Sequence, residues 1–504
     1  MGYAKVRSVA LHGVVGELIL VEADVSPGLP GLSFSGLPDA ALNESPGRVR
    51  SAIANTGERW PRQRITVNLL PADVPKHGSG FDLAVAVAVL AAAGELPVGG
   101  LHDAVLIGEL GLDGAVRPIR GVLPAIVAAE RARVAWAVVP VGNIGEARLV
   151  SNIKVRAADS LGRLIGFLHD AEALLDPPID PPLPQPPGPD LSDVIGQERG
   201  RRAIELAAAG GHHLAMFGPP GAGKTMLAQR MPSILPQLDD EASLEVSALH
   251  SIAGTLPVGG SLIRRPPFEA PHHTASVAAL VGGGSGRAQP GALSLAHRGI
   301  LFLDECAEFV PRALNALRQP LEEGTVRLRR AHGETVFPAA AQLVLAANPC
   351  PCAKPGGDAA CECSSLVRRR YQNRLSGPLM DRVDLQVDLP AVRSGTLLDT
   401  VAGEASEEVA QRVLTARAAA VERWRDFGSS NATVPSSILR RAPYRLPRSI
   451  LRPLTEQVDR GVLSARGFDR VVRVAWTIAD CDGHDRPDVG DISEAIDLRT
   501  RRAA

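Results

Sequence analysis

The sequence predicts an α/β protein in three parts: a mixed α/β N-terminal domain, a phosphate-binding-loop core on a parallel sheet, and a helical C-terminal domain. Three observations carry this prediction. Residues 214–225 read Leu-Ala-Met-Phe-Gly-Pro-Pro-Gly-Ala-Gly-Lys-Thr, a short apolar strand running into a glycine loop of the form G-x-x-x-x-G-K-[ST]. A second apolar run, residues 300–303, ends in Asp304-Glu305, carboxylates at the strand edge where parallel sheets bind ligands. Between them and the N-terminus, eight prolines crowd into residues 177–189, a density that joins neither a helix nor a central strand.

The totals agree. A length of 504 residues suits about three domains. Hydrophobic residues at 45% and charged residues at 22% are those of a soluble globular chain. A net charge of −1 draws the whole molecule to neither nucleic acid nor membrane, so any such surface is local. The longest apolar run, residues 83–93, is too short to span a bilayer. Residues 1–10 lack the charged start and apolar core of a secretory signal. Six cysteines, four of them clustered, read as thiols or metal ligands in a reducing cytoplasm rather than as a disulfide framework.

Along the chain, residues 1–165 alternate between strand and helix patterns. Strands are expected at 14–25, 65–70, 105–110 and 136–139, and helices at 39–54, 82–93 and 122–131. The domain ends at about residue 170, and residues 171–190 form a semi-rigid polyproline spacer. Residues 191–392 make the core and 393–504 the helical end, with an amphipathic helix at 407–424 and another at 470–479.

The core motifs define a chemistry. Gly218, Gly221 and Gly223, with Pro219, Pro220 and Ala222 between them, let backbone N–H groups curl around an anion. The helix beginning near Met226 adds its positive dipole end. Lys224 is expected to reach the β- and γ-phosphates of ATP, and Thr225 to ligate Mg²⁺. Asp304 is expected to hold the same Mg²⁺ through water, and Glu305 to polarise the attacking water. A third strand at 343–347 ends in Asn348, suited to the γ-phosphate or that water. The plainer alternatives are a glycine turn, a helix-capping acidic pair and a turn residue before Pro349.

Two families are resembled. Residues 69–83, Leu-Leu-Pro-Ala-Asp-Val-Pro-Lys-His-Gly-Ser-Gly-Phe-Asp-Leu, and 107–123, Ile-Gly-Glu-Leu-Gly-Leu-Asp-Gly-Ala-Val-Arg-Pro-Ile-Arg-Gly-Val-Leu, resemble the proteolytic domain of Lon-type proteases. The catalytic serine and lysine positions of that family fall on Gly80 and Leu123, so the dyad is absent. Ser79 is one place early, and Lys76 is its only nearby amine. The whole chain resembles magnesium-chelatase-like AAA+ ATPases of the ComM (YifB) type. Phe-Glu-Ala-Pro-His-His-Thr-Ala-Ser at 268–276, Gly282-Gly283-Gly284, Leu-Arg-Gln-Pro-Leu-Glu at 317–322, Asn-Pro-Cys-Pro-Cys at 348–352 and residues 374–384 carry that likeness.

The resemblance implies an AAA+ fold, a homo-oligomeric ring (usually a hexamer) and nucleotide bound between subunits. It implies that Arg382 is a finger reaching a neighbour's nucleotide, with an ion pair to Asp381 or Asp384 as the alternative. It implies a second arginine from the helical lid over the nucleotide, Arg466, with Arg473 as runner-up. It implies two inserts, residues 250–284 and a hairpin at 325–336. In that hairpin Arg327 and Arg329 share a face, and Arg330 follows; these are the DNA-contact candidates, with a solvated face as the alternative. His272 and His273 are read as insert or pore-facing residues. Cys350, Cys352, Cys361 and Cys363 are candidate Zn²⁺ ligands, against a loop of reduced thiols.

The expected function is therefore an ATPase ring acting on DNA, with helicase and branch-migration activity in recombination. The alternative is a chelatase-like motor that remodels a protein partner; a peptidase is disfavoured by Gly80 and Leu123.

Overall fold

The computed structural model describes residues 2–500 except 37, 38, 40, 41, 43, 98, 100, 179–187, 258, 259, 285–287, 331, 332, 355–359, 376, 392–402 and 429. Residues 179–187 of the expected proline spacer thus lie outside the described residues.

The N-terminal domain is organised by a long hairpin, β1 (Gly2–His12) and β2 (Val15–Ser26), paired antiparallel along its full length. Along β2, Ile19, Val21, Ala23 and Val25 alternate into the core, as a half-buried strand requires. Around the hairpin stand β3 (Gly31–Ser35), β4 (Arg64–Leu70), β5 (Ala104–Leu106), β8 (Trp136–Pro140) and β9 (Lys154–Ala158). The resulting seven-stranded sheet has the order β3-β4-β2-β1-β5-β8-β9. Helices α1 (Ser45–Asn55), α2 (Asp82–Ala92), α3 (Val122–Arg131) and α4 (Leu161–Leu168) complete the domain. Every residue of α2 is buried, which suits its unbroken apolar run. Its one acid, Asp82, accepts from Ser45 Oγ at 2.5 Å, Arg48 Nε at 2.8 Å and the Leu110 amide at 3.3 Å.

Two local expectations change. The first strand, β1, was not expected. Of the helix expected at 39–54, Ser45–Asn55 forms α1 and Leu42 is helical, residues 40, 41 and 43 lie outside the described part, and the Asp39 carboxylate accepts from the Leu42 and Gly78 amides. The strand expected at 105–110 breaks into β5 and the short β6 (Glu109–Leu110), which pairs with β7 (Val116–Arg117). The break falls where Gly108 turns its backbone to Gly80 and Leu83 instead of the sheet.

The positions expected for the Lon-type dyad are closely packed. A Cβ at Gly80 would stand 2.9 Å from Ile119 Cδ1, so a side chain there meets the core. Leu123 is fully buried. Ser79 Oγ donates to Glu109, and buried Lys76 donates to the Pro71 carbonyl, so the two are committed elsewhere.

The core is a five-stranded parallel sheet of order β11-β12-β15-β10-β16. These strands are β10 (Leu214–Phe217), β11 (Phe268–Glu269), β12 (Ile300–Leu303), β15 (Gln342–Ala347) and β16 (Leu385–Asp388); the hairpin strands β13 (Thr325–Arg330) and β14 (Gly333–Pro338) stand apart. All residues of β10 and β12 are buried, as in a sheet covered on both faces. One face packs on α5 (Glu198–Gly210), α6 (Lys224–Ile234) and the C-terminal helices α10 (Ser406–Arg423), α12 (Ala465–Asp482) and α13 (Val489–Asp497). Trp424 anchors that core, fully buried and donating its Nε1 to Asn431 Oδ1 at 2.6 Å.

The N-terminal domain docks on the core through helix α7 (Asp240–Ala253). The Gly121 amide donates to Ser251 O at 3.2 Å, and Gly145 meets Gly260 so closely that a Cβ on the latter would lie 2.7 Å from a carbonyl oxygen. Glu146 supports this seam by accepting from the Val122 amide at 3.1 Å and Asn143 Nδ2 at 3.2 Å. Burial pushes its carboxyl up to about 7, against the hydrogen bonds that favour the anion. A raised acid costs stability as the pH climbs from the unfolded value to the folded one. The cost is absent at acidic pH and complete above about 7. Glu146→Gln removes it. Chemical denaturation at pH 5 and pH 8 is expected to show the wild type losing on the order of 1–3 kcal/mol relative to the variant as pH rises.

Candidate functional site

The site grows from the end of β10. The chain leaves the sheet at Gly218, whose amide donates to Ala347 O at 3.2 Å. A Cβ at Gly218 would lie 2.5 Å from the Leu389 carbonyl, so only glycine passes there. Gly221 (φ +77°) and Gly223 (φ +84°) adopt left-handed conformations that turn the loop back onto α6. Helix α6 has no side-chain cap at Gly223. The unpaired amides of its first turn are donors for an anion.

Lys224 lies under this loop. Its Nζ donates to Gly218 O at 2.7 Å, Pro219 O at 2.9 Å and Asn348 Oδ1 at 3.0 Å. All three acceptors are neutral, so the ammonium keeps its charge for an incoming anion. Burial lowers its pKa, while Asp304 and Glu305 act the other way. Thr225 Oγ1 donates to Asp304 Oδ2 at 2.7 Å. The pair presents a hydroxyl and a carboxylate, hard oxygen donors that fit a Mg²⁺ ion. The structure thus gathers Lys224, Thr225, Asp304 and Asn348, drawn from three adjacent strands, into one site. Beside it, Phe217, Asn348, Tyr371, Gln372 and Met380 line a small cavity.

Glu305 takes a left-handed backbone (φ +47°), unusual for a side chain of this size. Backbone in that region costs about 1–3 kcal/mol and gathers at functional sites. Its Oε2 lies 3.3 Å from His273 Nδ1. The His273 ring stacks at 4.1 Å on His272, which is itself bonded to Thr274 Oγ1 at 2.9 Å. His273, expected as an insert or pore-facing residue, thus stands beside Glu305. Strand β11 lies beside β12, so the residues after β11 emerge at the same sheet edge as Glu305. The signal available in the sequence was the short strand at 268–269, which directs His272 and His273 to a ligand-binding edge.

The expected arginines lie at the other edge. In the parallel register Leu214 pairs with Leu385 and Phe217 with Asp388, so Arg382 precedes the sheet while the phosphate loop comes after it. Four residues of strand, about 13 Å at 3.3 Å per residue, separate the two edges. Arg382 Nη2 pairs with Glu322 Oε1 at 2.6 Å and Nη1 donates to Pro378 O at 2.6 Å. Its partner is therefore neither Asp381 nor Asp384. With only 11% of its side chain exposed, its Nε is buried without a partner among the described residues. Asp384 instead binds Arg470 and lies 3.5 Å from His212 Nδ1. Burial raises the Asp384 carboxyl, but His212, Arg470 and His213 together hold it well below the ordinary carboxylate range.

Arg466, Arg470 and Arg473 line a cavity with Arg382, Glu322 and Asp469. The two arginines expected from the helical lid, Arg466 and its runner-up Arg473, thus lie beside Arg382. Helix α10 packs on α5 and α6, and α12 joins it on α5, which points the start of α12 to the arginine edge.

The hairpin arginines are partly neutralised. Arg327 lies 3.5 Å from Glu323 and 3.6 Å from Glu334, and Arg329 Nε lies 3.0 Å from Glu334. Arg329 remains 85% exposed. The backbone of Arg330 pairs with Gly333, and its side chain lies outside the described part. The hairpin is braced from below: Phe337 packs with Leu249 and Val14, and a Cβ at Gly13 would lie 2.4 Å from Val336 O. The four clustered cysteines converge, with their sulfurs all within 4.8 Å of one another. Cys306 is buried in the core, as expected of a structural thiol.

Comparison with known proteins matches these parts in turn. Residues 21–143 match the family model described as subunit ChlI of Mg-chelatase, 190–397 that of magnesium chelatase subunit ChlI, and 403–499 its C-terminal model. The chain is 50% identical to protein Rv2897c of Mycobacterium tuberculosis, over 99% of each chain. It is 40% identical to YifB of Escherichia coli, over 99% of this chain and 97% of that one. It is 38% identical to competence protein ComM of Haemophilus influenzae, over 99% of this chain and 98% of that one. The N-terminal region is related to Lon protease 2 of Bacillus subtilis, 31% identical over 147 residues, 28% of this chain and 27% of that one.

The Thr225–Asp304 pair yields a specific expectation. Thr225→Ala weakens nucleotide affinity in the presence of Mg²⁺ by roughly tenfold or more, the value of a hydrogen bond or ligand at a charged group. It leaves affinity in chelator nearly unchanged. Titration with a fluorescent nucleotide, with and without Mg²⁺, reads both.

Proposed function

We infer that this chain, which belongs to the magnesium-chelatase-like AAA+ ATPases of the ComM and YifB type, is a ring-forming ATPase that remodels DNA in the cytoplasm. The activity is that of a helicase promoting branch migration when incoming DNA recombines. One observation carries the ring: the phosphate-side residues and the arginines of one chain sit at opposite edges of one sheet. A single chain therefore holds half of a site on each side. Closing a ring, usually of six, joins Lys224 of one subunit to Arg382 and Arg466 of the next.

Each residue then has a task. The loop amides and Lys224 bind the β- and γ-phosphates. Thr225 and Asp304 hold Mg²⁺, which when bound neutralises charge on those phosphates. Glu305 orients and deprotonates the attacking water, and Asn348 orients the γ-phosphate beside Lys224. The neighbour's Arg382 stabilises charge that develops on the transferred group. Its pairing with Glu322 is the contact that must open for this.

DNA is favoured as the substrate by the exposed arginine of a hairpin that is braced on the N-terminal domain. A protein partner is the second reading, favoured by Glu323 and Glu334, which neutralise part of that hairpin. No helix among the described residues is long and apolar enough to cross a membrane.

Two experiments test this. Glu305→Gln and Arg382→Ala proteins are each expected to be inactive as ATPases. Mixed in equal amounts, they recover about a quarter of wild-type activity, because one interface in four pairs an intact Glu305 with an intact Arg382. No recovery on mixing refutes the shared site. For the substrate, wild type but not Lys224→Ala separates forked and four-way DNA. Arg329→Ala lowers the slope of log affinity against log salt by about one. Absence of DNA binding with one dominant co-purifying protein supports the protein reading instead.

A further inference from the structure

We propose that Cys350, Cys352, Cys361 and Cys363 form a closed structural zinc site that ties the Asn348 end of β15 to helix α9 (Ser365–Gln372). The proposal stands apart from the DNA reading, since it concerns how the Asn348 strand is held whatever the motor moves.

Geometry carries it. The sulfurs of Cys350 and Cys352 are 3.1 Å apart, those of Cys361 and Cys350 3.4 Å, and those of Cys352 and Cys361 3.7 Å. Four thiolates on a tetrahedral Zn²⁺ at about 2.3 Å stand about 3.8 Å from one another. The spacing of these three is that of a slightly contracted ligand set, and the Cys363 sulfur lies within 4.8 Å of each. All four cysteines are free thiols rather than disulfide-bonded. Thiols are weak hydrogen-bonding groups, so they have little reason of their own to converge. Nor does hydrophobic burial explain it: Cys352, Cys361 and Cys363 are only partly buried, unlike Cys306 in the core.

The backbone is shaped for the same purpose. Ala353 takes a left-handed conformation (φ +48°) immediately after Cys352, and its amide turns back to Cys350 O at 3.4 Å. The chain thereby makes a knuckle that aims two sulfurs inward, and the second pair arrives nine residues later. Binding Zn²⁺ to four neutral thiols releases four protons and leaves a charge of −2 on the cluster. Arg369 and Arg370 on α9 provide positive charge nearby in the chain.

The consequence is positional. Only Pro349 separates Asn348 from Cys350, and only Ser364 separates Cys363 from α9, where its hydroxyl caps the helix by accepting from the Val367 amide. Gln372 Nε2 returns from the end of α9 to Pro349 O at 3.3 Å. Tyr371 and Gln372 wall the cavity beside Asn348. A metal at the cluster closes this circuit, so the side chain that bonds Lys224 is held from both ends.

The test uses the full chain, made without a metal-affinity tag or chelator. Elemental analysis is expected to find about one zinc per chain, the stoichiometry of a closed four-cysteine site. Exchange with Co²⁺ is expected to yield thiolate-to-cobalt charge-transfer absorption and tetrahedral d–d bands. Cys352→Ser loses nearly all the metal, whereas Cys352→His, which restores a ligand, and Cys481→Ser, outside the cluster, retain it. Substoichiometric zinc with no cobalt–thiolate spectrum overturns the proposal. So does a disulfide among these four cysteines, found by mapping peptides of the unreduced native protein. If Cys352→Ser does not fold, zinc content and the cobalt spectrum of the wild type still decide the matter.

Discussion

The parallel pairing of β10 with β15 on one side and β16 on the other is the constraint on which the rest of the molecule depends. Every strand of the core sheet runs the same way, so each one's end arrives at the same edge. Gly218 comes after β10, Asp304 after β12 and Asn348 after β15. Their meeting at Lys224 needs no further device than the sheet itself. The opposite edge collects the residues that precede the strands: His213 before β10 and Arg382 with Asp384 before β16. There the His213 amide and the Asp384 carboxylate bond each other, and Arg470 closes the knot from α12. A shift of β16 by one residue would break this knot and misdirect Arg382 together.

The two edges also differ in how their charges are held. At the phosphate edge, Lys224 rests on neutral oxygens and Thr225 on one carboxylate, an arrangement easily rebuilt around an anion and a cation. At the arginine edge, Arg382 is committed to Glu322 and Arg470 to buried Asp384. Removing Arg470 from its pair strands the buried charge of Asp384. The arginine edge is therefore the stiffer half, fit to be presented to a neighbour. The phosphate edge is the adaptable half. Glu305 belongs to neither condition: its backbone is left-handed and its carboxylate lies 3.3 Å from His273 Nδ1.

The N-terminal domain carries Gly80 and Leu123 where the Lon resemblance places a serine and a lysine. Its fully buried helix α2 and seven-stranded sheet keep the Lon-like frame, in which Gly80 faces Ile119 closely and Leu123 is fully buried. What the domain retains is contact. It touches α7 and the hairpin of the core, through Gly121, Gly145 and the β1–β2 turn. Those contacts make it a brace for α7 and the hairpin.

By itself the sequence determined the glycine loop after residues 214–217, the strands bearing Asp304, Glu305 and Asn348, and the helices at 82–93 and 122–131. These are local properties: glycine spacing, apolar runs and single residues at motif positions, all set within one turn or strand. Tertiary structure alone decided that His273 meets Glu305, that Arg382 pairs with Glu322, and that Arg466 lies at the arginine edge rather than over its own loop. It alone brought two C-x-C pairs to one point and split the strand at 105–110. The physical reason is common to all of these. Each depends on which strands are neighbours and which edge a loop returns to, and strand order leaves no periodic trace in the chain.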